Sequence, residues 1–246
     1  MKKVLLILVL SLCCFAFNRY AVKDNDPVPV PPSAQRSGDA DSGWQYIITG
    51  DYVNSGLPLG LYRMGFGKDK ENFLERPGYP KGIRYDFNVV QAPNGEEILV
   101  PNCLQCHAQV FDGRLIVGLG NANADFTKDQ KLNSKALQQF GLGFLKLHKK
   151  KYEAARNFVE VGLQIGEQLY TDVRGVNPAD RLAALLIAHR DPQTLAWLDS
   201  ASIQVPAAVV PTDVPAWWLL KKKNAMFYNG FGRGDFGRFL MGSILL

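Results

Sequence analysis

The chain has 246 residues, of which 47% are hydrophobic and 21% charged, and a formal net charge of +5. That length suits one domain of moderate size, or one and a half small ones, once a leader is set aside. Loss of Lys2 and Lys3 with a cleaved leader leaves +3, far from the strongly basic profile of a nucleic-acid-binding protein, so that class is set aside.

The N-terminus reads as an export signal. Met1, Lys2 and Lys3 form a basic start, residues 4–12 are an apolar run too short for a comfortable membrane span, and Ala16 is a small residue at a cleavage position. Cys13 and Cys14 follow the run, where a lipoprotein signal carries its acylated cysteine. Leu12 before Cys13 and Cys13 before Cys14 stand where a small residue is expected, so a lipid tether and plain secretion both stay open. The predicted signal covers residues 1–16, and the expected location is the bacterial periplasm or the membrane surface through a lipidated cysteine.

Residues 17–43 are polar and carry Pro27, Pro29, Pro31 and Pro32, the composition of an extended, flexible linker. The folded domain is expected over residues 44–246, starting near Trp44. Glycines and prolines punctuate residues 44–102, between strand-like pieces such as RYDFNVV and EEILV, which predicts loops and a small hairpin.

Next comes Cys103-Leu104-Gln105-Cys106-His107. The CxxCH pattern ties haem to a polypeptide: two thiols hold the porphyrin edge and the adjoining imidazole reaches the iron. In a chain with four cysteines and three histidines it arises by chance roughly once in a thousand sequences. Two other readings compete. A thioredoxin-like CxxC would follow a strand, as EEILVPN allows; a zinc site on Cys103, Cys106 and His107 would need a fourth ligand, and no second pair is present in the sequence. His148 and His189 are isolated on helical-looking segments. Two cysteines in the leader and two in the motif leave none for a structural disulfide. One covalent haem c is therefore expected, held by Cys103 and Cys106 with His107 as axial iron ligand, and the mild positive charge suits its propionates and an acidic redox partner protein.

After the motif, FDGRLIVGLG predicts a turn and hairpin and NANADFT a polar loop. Over residues 133–170 the apolar positions Leu137, Phe140, Phe144, Leu147, Ala155, Phe158, Leu163 and Leu169 recur every three to four residues, the helical period. Lys149, Lys150 and Lys151 mark a solvated face or a break between two helices. Asn177 and Pro178 signal another helix running to Arg190, and Asp191 with Pro192 a short one through Trp197. Residues 215–246 are expected to form an aromatic-rich helix, a glycine turn and a last helix capped by Asp235. There Trp217, Trp218, Phe227 and Tyr228 are candidates to wall a haem pocket and Arg233 or Arg238 to meet a propionate. The RGD triplet ending at Asp235 is too short to carry weight.

A signal peptide, CxxCH followed by IVGLGNANADFT, and VPAWWLLKKKNAMFYNGFGRGD downstream together resemble the large di-haem c-type cytochromes, which are related to bacterial di-haem cytochrome c peroxidases and, more distantly, to haem-containing rubber oxygenases. The resemblance covers roughly residues 55–241, and the haem motif and the WW/GRGD segment are its specific parts. It implies two cytochrome c-like domains, one haem reactive and the other delivering electrons. The sequence contains no second CxxCH, so the expectation divides between a mono-haem relative and the first half of a longer protein whose second haem domain is missing. The expected fold class is mainly α, a cytochrome c-like haem domain with loop-rich and short β-hairpin insertions.

Function turns on the sixth iron position: a thioether ligand makes an electron carrier, and an open position permits small-molecule chemistry. Met64, Met226, Met241, His148 and His189 are candidates, with Met226 preferred because aromatics surround it. Residues 108–132 hold neither methionine nor histidine, which leans toward an open or distantly ligated iron. The expected function is electron transfer outside the cytoplasm by a c-type cytochrome. The alternative is the N-terminal haem domain of a peroxidase-like or oxygenase-like oxidoreductase, and a third reading is a structural domain without haem.

Overall fold

A computed structural model describes residues 29–65, 71, 73–127, 142–226 and 232–237. The predicted signal, Cys13, Cys14, Ala16, Phe227, Tyr228, Arg238 and Met241 lie outside the described residues, as do residues 133–141 of the expected helix.

The helix-dominated fold expected from the sequence is corrected. Of the described residues 34% are helical and 15% lie in strands, giving six α-helices beside small antiparallel sheets in a mixed α/β architecture. The reason is local. A three-stranded sheet is built from β1 (Leu57–Pro58), β2 (Phe87–Gln91) and β3 (Glu97–Pro101), in the order β1-β3-β2. Ile98, Leu99 and Val100 are buried in succession because β3 is the middle strand, and a continuous apolar run is the pattern of a strand covered on both faces. Val89 faces Leu99, and Leu57 meets Leu99 from the other side. Before the sheet come helix α1 (Ala40–Thr49), whose first turn is capped by the Asp39 carboxylate accepting from Ser42 N at 2.7 Å, and between β1 and β2 helix α2 (Leu59–Gly65).

Helix α3 (Leu104–His107) is the motif itself, followed by the hairpin of β4 (Ala108–Phe111) and β5 (Arg114–Val117). Asp112 and Gly113, with φ of 50° and 69°, form the tight turn that the strand twist favours. The long helical stretch is broken at Leu147 and His148, giving α4 (Leu142–Lys146) and α5 (Lys149–Ile165). The lysine run therefore opens α5, and Lys151 pairs with Glu96 at 3.4 Å. Helix α5 joins the two halves of the molecule: Ala154 packs on the sheet, Ala155 and Val159 on Leu145, and Ile165 on Leu185 and Leu186 of α6 (Ala179–Ala188). Pro178 rather than Asn177 takes the N-cap of α6, and Asn177, one residue earlier, supports the helix start through Oδ1, which accepts from Ala179 N at 2.9 Å.

Two other expected helices do not form. Residues 192–194 make a turn and Leu195 takes φ 58°, where a helix cannot continue. The WW segment is a 3-10 turn, Trp217–Lys222, followed by a two-stranded pair of β6 (Ala225–Met226) and β7 (Gly232–Arg233). Asp235 is 9% exposed and bonds Arg36 at 3.3 Å, while Ser33 N donates to Asn224 Oδ1 at 3.2 Å and Phe236 N to Gln35 Oε1 at 3.0 Å. The distal end of the proline-rich segment is thus fastened to the C-terminal strands, and the RGD aspartate serves that fastening. Among the described residues no helix is long and apolar enough to cross a membrane.

Candidate functional site

A four-residue helix cannot stand alone, since nucleation fixes several residues for a single hydrogen bond. Helix α3 is held from both ends. At its start Asn102 Oδ1 accepts from Leu104 N at 2.9 Å and the Asn102 carbonyl from Gln105 N at 3.1 Å. The same Asn102 donates through Nδ2 to the Tyr85 carbonyl and to Asn88 Oδ1, both at 2.9 Å. Asn88, fully buried on β2, donates in turn to the carbonyls of Ile47 and Gly50 at 3.0 and 3.1 Å. A buried amide chain therefore connects the end of α1, the sheet and the first turn of the motif, and burial makes each of its bonds costly to lose.

At the other end the loop after β5 folds back. Gly118 N donates to the His107 carbonyl at 2.8 Å, Asn121 N to the Cys106 carbonyl at 2.9 Å, and Asn121 Nδ2 to the Gln105 carbonyl at 3.1 Å. Leu104, fully buried, seats the helix in an apolar cluster with Ile48, Leu74 and Ala108, against which Trp217 also packs. Cys103 and Cys106, three apart and so on one side of the turn, are half-buried and exposed respectively, and neither forms a disulfide. Partial desolvation by the surrounding protein atoms raises both thiols above their ordinary range; the neighbouring Cys103 adds to this at Cys106, whose residue is otherwise exposed, and the Tyr52 hydroxyl partly offsets it at Cys103. Tyr52 itself donates to the Ile47 carbonyl at 2.8 Å, and burial raises its own pKa. Thioredoxin-type chemistry requires the opposite, a thiol lowered toward neutrality. Among the described residues no three His, Cys, Asp or Glu side chains form a metal-holding group.

His107 is where sequence and structure meet most closely. Its ring stacks on Trp217 with centroids 4.7 Å apart and planes at 26°. Burial lowers its pKa to about 4, with the Pro215 carbonyl acting in the opposite sense. The imidazole is therefore neutral at physiological pH, the form that binds a metal. Its Nδ1 and the Nε1 of Trp217 are both buried without a hydrogen-bond partner among the described residues, an uncommon condition that concentrates at functional sites. The segment before Trp217 comes this close because of two glycines. A Cβ on Gly120 would lie 1.9 Å from the Val214 carbonyl oxygen, and Gly118 takes φ 82° beside both tryptophans. Trp217 N then donates to the Gly118 carbonyl at 2.9 Å.

The structure thus brings together CxxCH, the GLGN loop and the WW segment. Trp218 is 61% exposed, its Nε1 donating to the Val117 carbonyl at 3.3 Å. Met226 is half-buried on β6 and Arg233 exposed on β7. Met64 on α2 is 69% exposed, and His148 is exposed at the start of α5. His189, 6% exposed at the end of α6, is engaged with the Leu198 carbonyl and Trp197. Asn88, Asn102, Tyr52, Gly118, Gly120 and Pro215 were not singled out from the sequence. Asn102 just before the motif is a readable cap signal, whereas the partners of Asn88, Tyr52 and Gly120 are set by long-range packing. No protein-family model, curated protein or solved structure matches this chain.

Proposed function

We propose that the chain is a c-type cytochrome that holds one haem covalently through Cys103 and Cys106, with His107 as axial ligand, and transfers electrons outside the cytoplasm. One observation carries the reading: the motif histidine is neutral, packed against Trp217 and bracketed by two thiols on one side of a turn clamped at both ends. The donor set fits the group, because two reduced thiols and a neutral imidazole are what such attachment consumes. Bound haem supplies one-electron exchange. The protein's part is positional. Asn102 and Asn121 fix the turn that carries the thiols, Leu104 anchors it, and Trp217 limits rotation of the His107 ring. Export through residues 1–16, with a lipid tether at Cys13 or Cys14 or without one, belongs to the same proposal.

Co-expression with a c-type maturation system tests it. The purified protein should carry covalent haem by denaturing-gel haem stain and intact mass, and Cys103→Ala with Cys106→Ala should abolish both signals. A colourless wild-type protein from that host would sink the reading. The second reading, a haem domain of a di-haem peroxidase-like or oxygenase-like oxidoreductase, is favoured by the absence of methionine and histidine from residues 108–132. A high-spin ferric spectrum that shifts with peroxide or carbon monoxide selects it. A low-spin spectrum with a methionine charge-transfer band, indifferent to both, selects the carrier.

A further inference from the structure

The 3-10 turn Trp217–Lys222 has two faces. Inward, Leu220 is 6% exposed and Trp217 lies on His107. Outward, Trp218 and Leu219 are 61% and 57% exposed, and Lys221, Lys222 and Lys223 follow them, all exposed. The Trp218 indole is held in place by its bond to the Val117 carbonyl and lies close over Gly118. Among the described residues no carboxylate pairs with the three lysines. A fixed aromatic with an aliphatic neighbour is the makeup of an interface hot spot, and a cluster of like charges beside it steers an oppositely charged partner and sets its register.

We propose that Trp218, Leu219 and Lys221, Lys222 and Lys223 form the docking face for an acidic one-electron carrier protein. The carrier's redox character rests on the haem reading above; the surface itself does not. Charge selects the occupant. A second copy of this positively charged chain would set lysines against lysines across a two-fold axis, and three lysines fall short of the four to eight of a lipid-binding basic cluster. Position supports it as well, because the face is the outer side of the turn whose inner side touches the candidate iron ligand. The exchange served moves one electron between carrier and centre, one oxidised as the other is reduced, with no bond made or broken.

The test titrates the purified holoprotein with flavodoxin, an acidic one-electron carrier, by calorimetry at low and high salt. Binding should weaken as salt rises. The variant K221E/K222E/K223E should lose at least about tenfold in affinity and its salt dependence. W218A/L219A should lose about fivefold while keeping the salt dependence. A control with the same charge change elsewhere, K81E/K146E/K149E, should stay within about twofold. Matching urea midpoints establish that the variants fold. The inference is overturned if the wild-type protein does not bind flavodoxin, or if the control loses as much as the patch variant. Patch-dependent binding to phosphatidylserine vesicles without flavodoxin binding would give the face to a membrane. A wild-type dimer dissolved by the patch variant would give it to a second copy. A preparation without covalent haem defeats the cytochrome reading alone, since the calorimetry still reports on the surface.

Discussion

Among the described residues two histidine–tryptophan stacks occur, and they differ in what surrounds them. His189 lies on Trp197 with centroids 5.1 Å apart and planes at 13°, its Nδ1 bonded to the Leu198 carbonyl at 2.9 Å. Trp197 in turn donates to Gln164 Oε1 at 2.6 Å and carries the Arg190 guanidinium over its ring at 5.4 Å. Every polar group named there has a partner, which is how a stack that only holds a helix end looks. His107 on Trp217 has similar ring geometry, but His107 Nδ1 and Trp217 Nε1 are buried with none among the described residues. Stacking alone therefore does not mark a site. What distinguishes the His107 stack is its two unpartnered polar atoms beside two free thiols.

The largest test of that difference is Gly120→Ala. The new methyl would meet the Val214 carbonyl and push residues 214–217 off the motif, at a cost of about 3 kcal/mol or more. A urea midpoint close to wild type would show that the GLGN loop does not hold the His107 stack together. Next is pH. In the haem-free chain the folded His107 titrates near 4 and the unfolded one near 6.5, so between those values the unfolded state binds more protons and stability rises with pH. Denaturant midpoints should fall as pH drops from 6.5 to 4, by up to roughly 3 kcal/mol from this residue, and His107→Asn should flatten that slope.

Asn88→Ala should cost about 2 kcal/mol, because it strands the carbonyls of Ile47 and Gly50 and one Asn102 donor. It should also lower the yield of covalent haem, read by haem stain per mole of protein, whereas a loss of stability with unchanged yield would detach the amide chain from the motif. The smallest effect sharpens the comparison of stacks. Trp197→Phe gives up a hydrogen bond and Trp217→Phe does not, so the first should be the more destabilising by about 1 kcal/mol. Equal costs would mean that the two stacks are alike.

The strands at RYDFNVV and EEILV, the FDGR turn and the helix start after Asn177 were legible because each signal is local: apolar runs, a turn dipeptide, a side chain that bonds the backbone two residues on. The helical reading of residues 191–197 and of the WW segment failed because periodicity of apolar residues cannot report φ at Leu195, nor the pull of Gly118 and Gly120 on the chain before Trp217. Trp217 itself was named as a candidate wall of the site, yet its contact with His107 spans more than a hundred residues of sequence and could not be read from spacing.

By itself the sequence determined the chemical inventory: two thiols and an imidazole at CxxCH spacing, with the other two cysteines adjacent to each other at Cys13 and Cys14. Tertiary structure decided the environment of that inventory. It set which ring lies on His107, which amides hold the motif turn, and which tryptophan faces solvent beside three lysines. The physical reason is that covalent chemistry depends on residue type and near-neighbour spacing, which the chain carries directly. Burial, hydrogen-bond partnership and charge display arise only when distant segments meet.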